Sequence, residues 1–477
     1  MKSDKLLLKN SIFNIIYKGF TALFPLLTTS YIARVLLPEG VGRVEYAMVI
    51  VSYFVTVASL GIPSYGIKAI AQSKESERVN VFLELFIINS ISTLICLVAY
   101  YIFIFNVAYL HNRLQLFCVV GTIIFLNFFN IDWFYQGIEE YSYIAIRGIF
   151  IKTLSFILML IFVKNAKDYI VYALILCIAT AGNYILNIIQ LRKFIHFENI
   201  EICNLKKHLL PILILFATTI ATQIYTMLDS VMLEYIHGEA YVGYYSNAVK
   251  IVRMIYTVSI AMVAPLYPRI SNYIQHKNTI KVNDTLSKGV KIILLLAIPA
   301  AVAVFLLSDW IVNILFGVAF MPSVITLKIL SPLIVIFSFA YFLGHIVLMS
   351  LNKEKIILIS TIIGACINVI FNLIFIPLFK HNGAAFSSLI AELIVTLYVI
   401  HASKHYYKIT INIHFIYSMV ISLLVMLLII IGFKLIFSIT IINMLILCLT
   451  AMVGYFVILY MLRNEEIFDL CNKILRK

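Results

Sequence analysis

Fourteen stretches of this chain are apolar for long enough to cross a lipid bilayer, and little separates one from the next. A helix spanning the hydrocarbon needs about 20 predominantly apolar residues. The stretches fall at approximately 10–35, 43–66, 80–105, 114–136, 145–163, 169–191, 209–236, 243–268, 288–308, 325–350, 356–378, 383–401, 414–436 and 441–462. They fill most of the 477 residues and leave no room for a separate soluble catalytic domain. Composition carries the same message: 63% of residues are hydrophobic and only 12% charged, against about a quarter charged in soluble proteins. With a mean hydropathy of +1.03, polar surface is too scarce to coat a globule of this size. A soluble multidomain protein, a disordered chain and a secreted disulfide scaffold are excluded. An all-α polytopic membrane protein remains.

The seven cysteines form no CxxC pair and no Cys/His cluster, and most sit in apolar runs where a lone thiol behaves as a small hydrophobe. No metal centre and no organic cofactor is expected. The basic N-terminal segment runs into the first span without a small-residue cleavage site, so it reads as the mature start. Asn183, Tyr184 and Asn187 lie within a span, which points that face toward protein or a watery cavity.

Loop charge orients the spans. With the N-terminus in the cytoplasm, 24 of the 36 basic residues fall in cytoplasmic segments, seven on the outer side and five within spans. That excess follows the positive-inside rule. It predicts cytoplasmic N- and C-termini, and it makes the net charge of +14 mainly an insertion signal. Nucleic acid is not an expected partner.

The chain also repeats itself. Val41, Gly42 and Ala47 match Val242, Gly243 and Ala248 at an offset of 201 residues, and Pro63 and Tyr65 match Pro265 and Tyr267 at 202. Two sets of six spans starting from the same side are parallel repeats, which place a transport site between them. The expected architecture is two six-helix lobes, 1–208 and 209–408, related by a pseudo-two-fold axis. A helix pair and tail at 409–477 has no counterpart in the repeat.

Several short stretches carry a family resemblance. In the first half they are Asn10-Ser-Ile-Phe-Asn14 through Ala33-Arg34-Val-Leu, Gly40-Val-Gly42, Leu60-Gly-Ile-Pro63-Ser-Tyr65-Gly66 and Asp132-Trp-Phe-Tyr-Gln136-Gly137. The second half supplies Asp229-Ser-Val-Met-Leu233, Val242-Gly243-Tyr-Tyr245, the pair Asn368 and Asn372, and Asn382-Gly-Ala-Ala385. Taken together, the chain resembles the polysaccharide transporter (Wzx-type flippase) family of the multidrug/oligosaccharidyl-lipid/polysaccharide exporter superfamily. The resemblance implies a non-enzymatic transporter. By alternating access it would move an undecaprenyl-pyrophosphate-linked oligosaccharide, as for O-antigen, from the cytoplasmic to the outer leaflet. A polysaccharide polymerase and a chain-length regulator are candidate partners.

Charges inside spans are costly, about 2.5–3.5 kcal/mol each at a helix centre on the insertion scale. Depth at 1.5 Å per residue puts Lys18 about 12 Å, Lys250 about 10 Å and Arg253 about 15 Å into their spans. Lys250 and Arg253 share a helix face. Two cations side by side in a membrane call for an anion or a water-filled lumen, and arginine grips phosphate with a bidentate fork. Lys18, Lys250 and Arg253 are therefore candidates to hold a pyrophosphate. The alternative is structural pairing with Glu84, Asp132, Asp229, Glu234 or Glu392. Asp229 with Asn368 and Asn372 offers oxygen ligands for a monovalent cation, and Ser388 or Thr396 could complete the set. Ion coupling in related exporters makes Na+ or H+ the expected coupling ion. Asp132 and Gln136 are gate candidates, against the simpler account of an aromatic-belt anchor followed by a glycine stop.

Two other functions are weighed. An ion-coupled multidrug exporter would share the fold, but a basic cavity repels cationic drugs. A membrane-embedded polymerase would present a large catalytic outer loop. Here the longest outer segment, about Ser308 to Val324, holds only Asp309 as a charged residue and offers no acid/base pair.

Overall fold

A computed structural model describes residues 2–194, 204–351 and 353–468, with side chains described from Phe24 onward, Tyr225 excepted. Among the described residues the chain is all-helical, with no strand. Its packing runs opposite to that of a soluble protein. Large apolar side chains stand on the outside, such as Ile189, Leu210 and Leu435 at 68%, 69% and 82% exposure, while Asn127, Asn187, Asn247 and Ser387 are fully buried. Lipid is as apolar as leucine, so nothing drives leucine inward, and polar side chains gain by meeting one another between helices.

Among the described residues, twelve helices are long and apolar enough to cross a membrane, and two of these are double. The first, α1 (Lys2–Ser59), has 58 residues; unbroken it would run about 87 Å, nearly three hydrocarbon thicknesses. It breaks at Leu37, where φ is 60° and ψ 174°. The following Pro38 bars Leu37 from the helical region. The second double helix, α14 (Glu354–Ser403), breaks at Lys380, φ 56° and ψ −134°. Each therefore supplies two of the fourteen expected spans, joined through a single non-helical residue.

The helices gather into two contact units, Met1–Gly243 and Tyr244–Lys477. The first contains α1, the short α2 (Ile62–Gln72), α3 (Arg78–Asn106), α4 (Leu114–Leu126), the short α5 (Asp132–Gly137), α6 (Tyr141–Phe162), α7 (Tyr169–Leu191) and α8 (Lys206–His237). Helix α9 (Glu239–Val263) straddles the boundary. The second unit continues with the short α10 (Leu266–Gln275), α11 (Thr279–Phe316), α12 (Ser323–Leu330), α13 (Leu333–Tyr341), α14, α15 (Ile413–Ile436) and α16 (Ile441–Met461). The seventh span, expected to open the second lobe at residue 209, packs in α8 against α1 and α2 of the first unit. The helix pair α15–α16 groups with the second.

The sequence repeat reappears as a repeat of element order. In the first unit a span ends at Leu60, which has positive φ, and a short helix starts with Pro63 in its first turn. In the second, α9 ends at Val263 and Pro265 caps the short α10. Proline lacks the N–H that a first turn leaves unused, so it starts a helix without loss. Each short helix precedes a long one, α3 or α11, and each long one ends in a 3-10 turn, Ala108–Arg113 or Val318–Phe320. Helices expected to continue over 114–136 and 243–268 are thus interrupted: the first breaks after Leu126 and restarts at Asp132, and the second breaks after Val263.

The stretch from Asp132 to Gly137 is the centre of a core in the first unit. Trp133, Phe134 and Tyr135 are buried with Phe82, Leu85 and Ile212. Trp133 stacks on Phe82 with centroids 5.6 Å apart. In the second unit, Lys291 of α11 pairs with Glu465 at 3.2 Å and Glu466 at 3.4 Å, just beyond α16. The Lys291 and Asn412 hydrogen bonds hold the Glu465 carboxyl below its usual range.

Gly42 of the repeated motif is required by contact. A β-carbon there would lie 1.7 Å from the Glu239 carbonyl oxygen and 2.8 Å from the Gly243 nitrogen, both backbone atoms that cannot step aside. Gly42→Ala should destabilise the protein by about 1–3 kcal/mol or more, as overpacking does. Gly432→Ala, at a site with nothing within 4 Å of the added carbon, should be neutral or slightly stabilising. Thermal unfolding of both in detergent checks the contrast.

Candidate functional site

Helix α9 carries the basic pair proposed from depth. The helix begins at Glu239, earlier than the sequence suggested, so Lys250 lies about 17 Å and Arg253 about 21 Å from its start. Arg253 is exposed and Lys250 half-buried. Arg253 sits near the middle of a 25-residue span, a depth at which an exposed guanidinium suits water and not lipid. One turn earlier, Asn247 is fully buried, and neither its amide nitrogen nor its carbonyl oxygen has a hydrogen-bond partner. The sequence reading passed over Asn247; its place in a polar stretch of α9 with Lys250 and Arg253 was the available signal. Lys18 lies outside the residues whose side chains are described.

Three of the five carboxylates considered as partners for these cations are bound to others, all within the first unit. Glu84, buried in α3, accepts from Lys207 at 2.8 Å, His208 Nε2 at 2.7 Å and the Asn204 backbone N–H at 3.1 Å. On its other side, His208 Nδ1 is hydrogen-bonded with the Tyr65 hydroxyl, 2.8 Å away. Glu234 at the end of α8 is held by Arg113 and by the Tyr109 hydroxyl at 2.7 Å. Arg113 also reaches Glu239 at 2.9 Å, and Glu239 meets Arg43 at 2.8 Å. Arg43 lies over the ring of Tyr169, 4.6 Å from its centroid. These side chains lace the starts and ends of α1, α4, α8 and α9, a network that needs the fold to be seen.

Asp132, the gate candidate, begins α5 and does not end the fourth span. It accepts from Arg147 at 2.6 Å and from the Asn187 amide at 2.7 Å. Arg147 lies in the second turn of α6, its side chain only 4% exposed, rather than in a cytoplasmic loop. Gln136 lies in the same short helix, half-buried.

Asp229 is 2% exposed in α8, close to Tyr53, whose hydroxyl is buried without a hydrogen bond. Nearby, Gln223 donates to Ser52 at 2.9 Å. Thr218, Thr219 and Thr222 leave a hydroxyl-rich exposed face on α8. Asn368 and Asn372 belong to α14 of the second unit, both buried, with the Asn372 amide donating to the Asn368 carbonyl at 2.9 Å. Their oxygens are hard donors suited to a monovalent cation, and one is already engaged by the neighbouring amide. Thr396 on the same long element is buried with its hydroxyl unpartnered, and Ser388 bonds the Tyr245 hydroxyl at 3.0 Å. Among the described residues no group of three or more His, Cys, Asp or Glu could hold a metal ion. Asp309, the charged residue of the long outer segment, is tied to Lys434 at 2.7 Å.

An all-helical fold of long apolar elements with internal repeats and polar groups at mid-span defines a polytopic membrane protein. The family model for "Polysaccharide biosynthesis protein" matches residues 7–274, and the chain belongs to that family. A second model, MatE, matches residues 211–374. The chain is 24% identical over 411 residues to the Escherichia coli (strain K12) protein named "Putative O-antigen transporter", covering 83% of this chain and 96% of that one. It is 26% identical over 152 residues to the lipid II flippase MurJ of Bacillus subtilis (strain 168), covering 31% and 28%. Among solved structures, lipid II flippase MurJ in an inward closed conformation superposes with a TM-score of 0.77 at 16% identity, covering 96% of this chain and 99% of that one. An inward-facing multidrug resistance MATE family transporter gives 0.64 at 16% identity, covering 80% and 93%. At these identities the superpositions speak for the fold.

The Asp132–Arg147 pair separates a gate from a brace. Asp132→Asn leaves the nearly buried Arg147 charge uncompensated and should cost about 3–5 kcal/mol. The double variant Asp132→Asn with Arg147→Met should recover most of that stability. If it also recovers glycan export in cells, the pair is a brace; export still lost in a stable double variant would make it a gate.

Proposed function

We propose that this protein flips an undecaprenyl-pyrophosphate-linked oligosaccharide from the cytoplasmic to the outer leaflet by alternating access of two six-helix lobes. The observation that carries this reading is the basic pair on α9, with Arg253 exposed near mid-span. An exposed guanidinium at that depth is costly beside lipid and favourable beside a phosphate. Membership of a polysaccharide biosynthesis family narrows the anion to one bearing a glycan, and relatives named as an O-antigen transporter and a lipid II flippase support the same class. The proposal makes the protein a carrier and not an enzyme. It sits in the bacterial inner membrane with both termini cytoplasmic, an orientation supported by the loop-charge excess.

Arg253 and Lys250 hold the pyrophosphate in this reading, joined by Lys18. Moving an anion outward against an inside-negative potential is downhill by about 2.3 kcal/mol per charge per 100 mV, so the potential assists export. Reset is assigned to an inward Na+ or H+ taken up at Asp229.

Arg253→Gln and Lys250→Gln, each removing a charge without shortening the side chain much, should each reduce surface glycan at least tenfold in a flippase-null strain, with membrane insertion unchanged. Export at the parental level in both variants would remove the headgroup assignment. Asp229→Asn should abolish dependence on the sodium or proton gradient in vesicles loaded with lipid-linked oligosaccharide. Transport indifferent to both gradients in the parent protein would remove the coupling.

A further inference from the structure

A concavity of about 760 Å³ opens at one end of the second unit, where the turn between α10 and α11, the turn before α14 and the linker after α14 come together. Lys277, Lys404 and Lys408 line it, and among the described residues no carboxylate does. Two further lysines flank it, each over a lining tyrosine: Lys281 lies 5.7 Å from the Tyr273 centroid and Lys353 5.2 Å from that of Tyr406. Five exposed lysines in and beside one hollow raise its positive potential and favour an anion there.

A topological signal needs lysines in loops, but it does not need those loops to be shaped. These are. The Lys408 backbone N–H donates to the Asn283 side chain at 2.9 Å, and the Thr410 N–H to the Ser287 hydroxyl at 3.0 Å. Those bonds fasten the linker to α11. The Tyr407 hydroxyl meets Ser403 at 2.6 Å. Lys277 adopts φ 53°, a left-handed conformation that costs a residue with a β-carbon about 1–2 kcal/mol and that glycine would take freely. The turn is closed by Asn278 N–H donating to the Tyr273 carbonyl at 2.9 Å. A strained lysine on a fixed turn, facing other lysines across a hollow, is a built arrangement.

We propose that this pocket holds the phosphate of a lipid headgroup. Lysine is a compact donor of three hydrogen bonds suited to phosphate oxygens. Ile274, Val282 and Leu351 give the same hollow an apolar wall, as a site at the bilayer surface requires, and basic pockets between spans are a known way of holding anionic headgroups. Two lipids carry this chemistry: a phosphodiester of the surrounding bilayer, or a polyprenyl pyrophosphate queuing for transport. The second source rests on the flippase reading; the first does not.

The test uses the full-length protein in phosphatidylcholine nanodiscs, with binding of dioleoylphosphatidylglycerol, farnesyl pyrophosphate and inorganic pyrophosphate measured by native mass spectrometry. Lys277→Gln/Lys404→Gln/Lys408→Gln changes three exposed side chains and should weaken at least one of the two lipid probes tenfold or more. Lys164→Gln/Lys167→Gln, on exposed lysines of the first unit, should change neither. The probe that weakens names the source. The proposal falls if the triple variant binds both lipids like the parent, if neither lipid binds the parent, or if inorganic pyrophosphate binds as tightly as the lipids do. Because binding is read without transport, the pocket and the flippase reading can fail independently.

Discussion

In a bilayer core there is no water to receive a backbone N–H or carbonyl, and every other feature of this protein follows from that shortage. Helices satisfy their own backbone, so the described chain is helix almost throughout. Apolar side chains gain nothing by turning inward, so the outer faces of α7, α8 and α15 carry exposed isoleucine and leucine. The interior mixes packed apolar side chains with asparagine, serine and the occasional charge. A buried polar group must then find a partner inside the protein, and the pairs Glu84–His208, Glu234–Arg113 and Asp132–Arg147 do so. A charge that remains exposed at mid-span, as Arg253 does, marks a place where the surroundings are not lipid.

Hydropathy made the spans legible because the 20-residue requirement is a property of the solvent and not of the fold. The repeat was legible for a similar reason: Pro63 and Pro265 mark helix starts, and Gly42 marks a contact with no room for a side chain. Interruptions were harder to read. Leu60 and Lys380 take positive φ without being glycine, so their residue type does not announce them, and the breaks at Leu37 and Val263 are signalled only by prolines common in membrane helices. Pairing was least legible. Arg147 stands at the edge of the expected span 145–163 with no partner visible until α6 is seen to begin at Tyr141, and Asp132 reads as an anchor until Arg147 and Asn187 converge on it from two other helices.

The candidate site shows the same division. Depth along a helix is one-dimensional and could be counted, so Lys250 and Arg253 were found on the face of one span, though α9 begins earlier and buries them deeper than the count allowed. Asn247, buried without a hydrogen bond a turn away, was missed because burial is a three-dimensional property. The carboxylates weighed as partners for the cations were a fair set by composition, and the fold commits three of them elsewhere.

The single-residue corners at Leu37 and Lys380 have a mechanical meaning. A loop of ten residues lets two neighbouring spans slide or splay at little cost, whereas one residue acts as a stiff elbow and transmits torque from one leg to the other. The legs meeting at each elbow must tilt together. Slack for any large rearrangement then resides in the longer connections between helices, which makes hinge motion a matter of tether length.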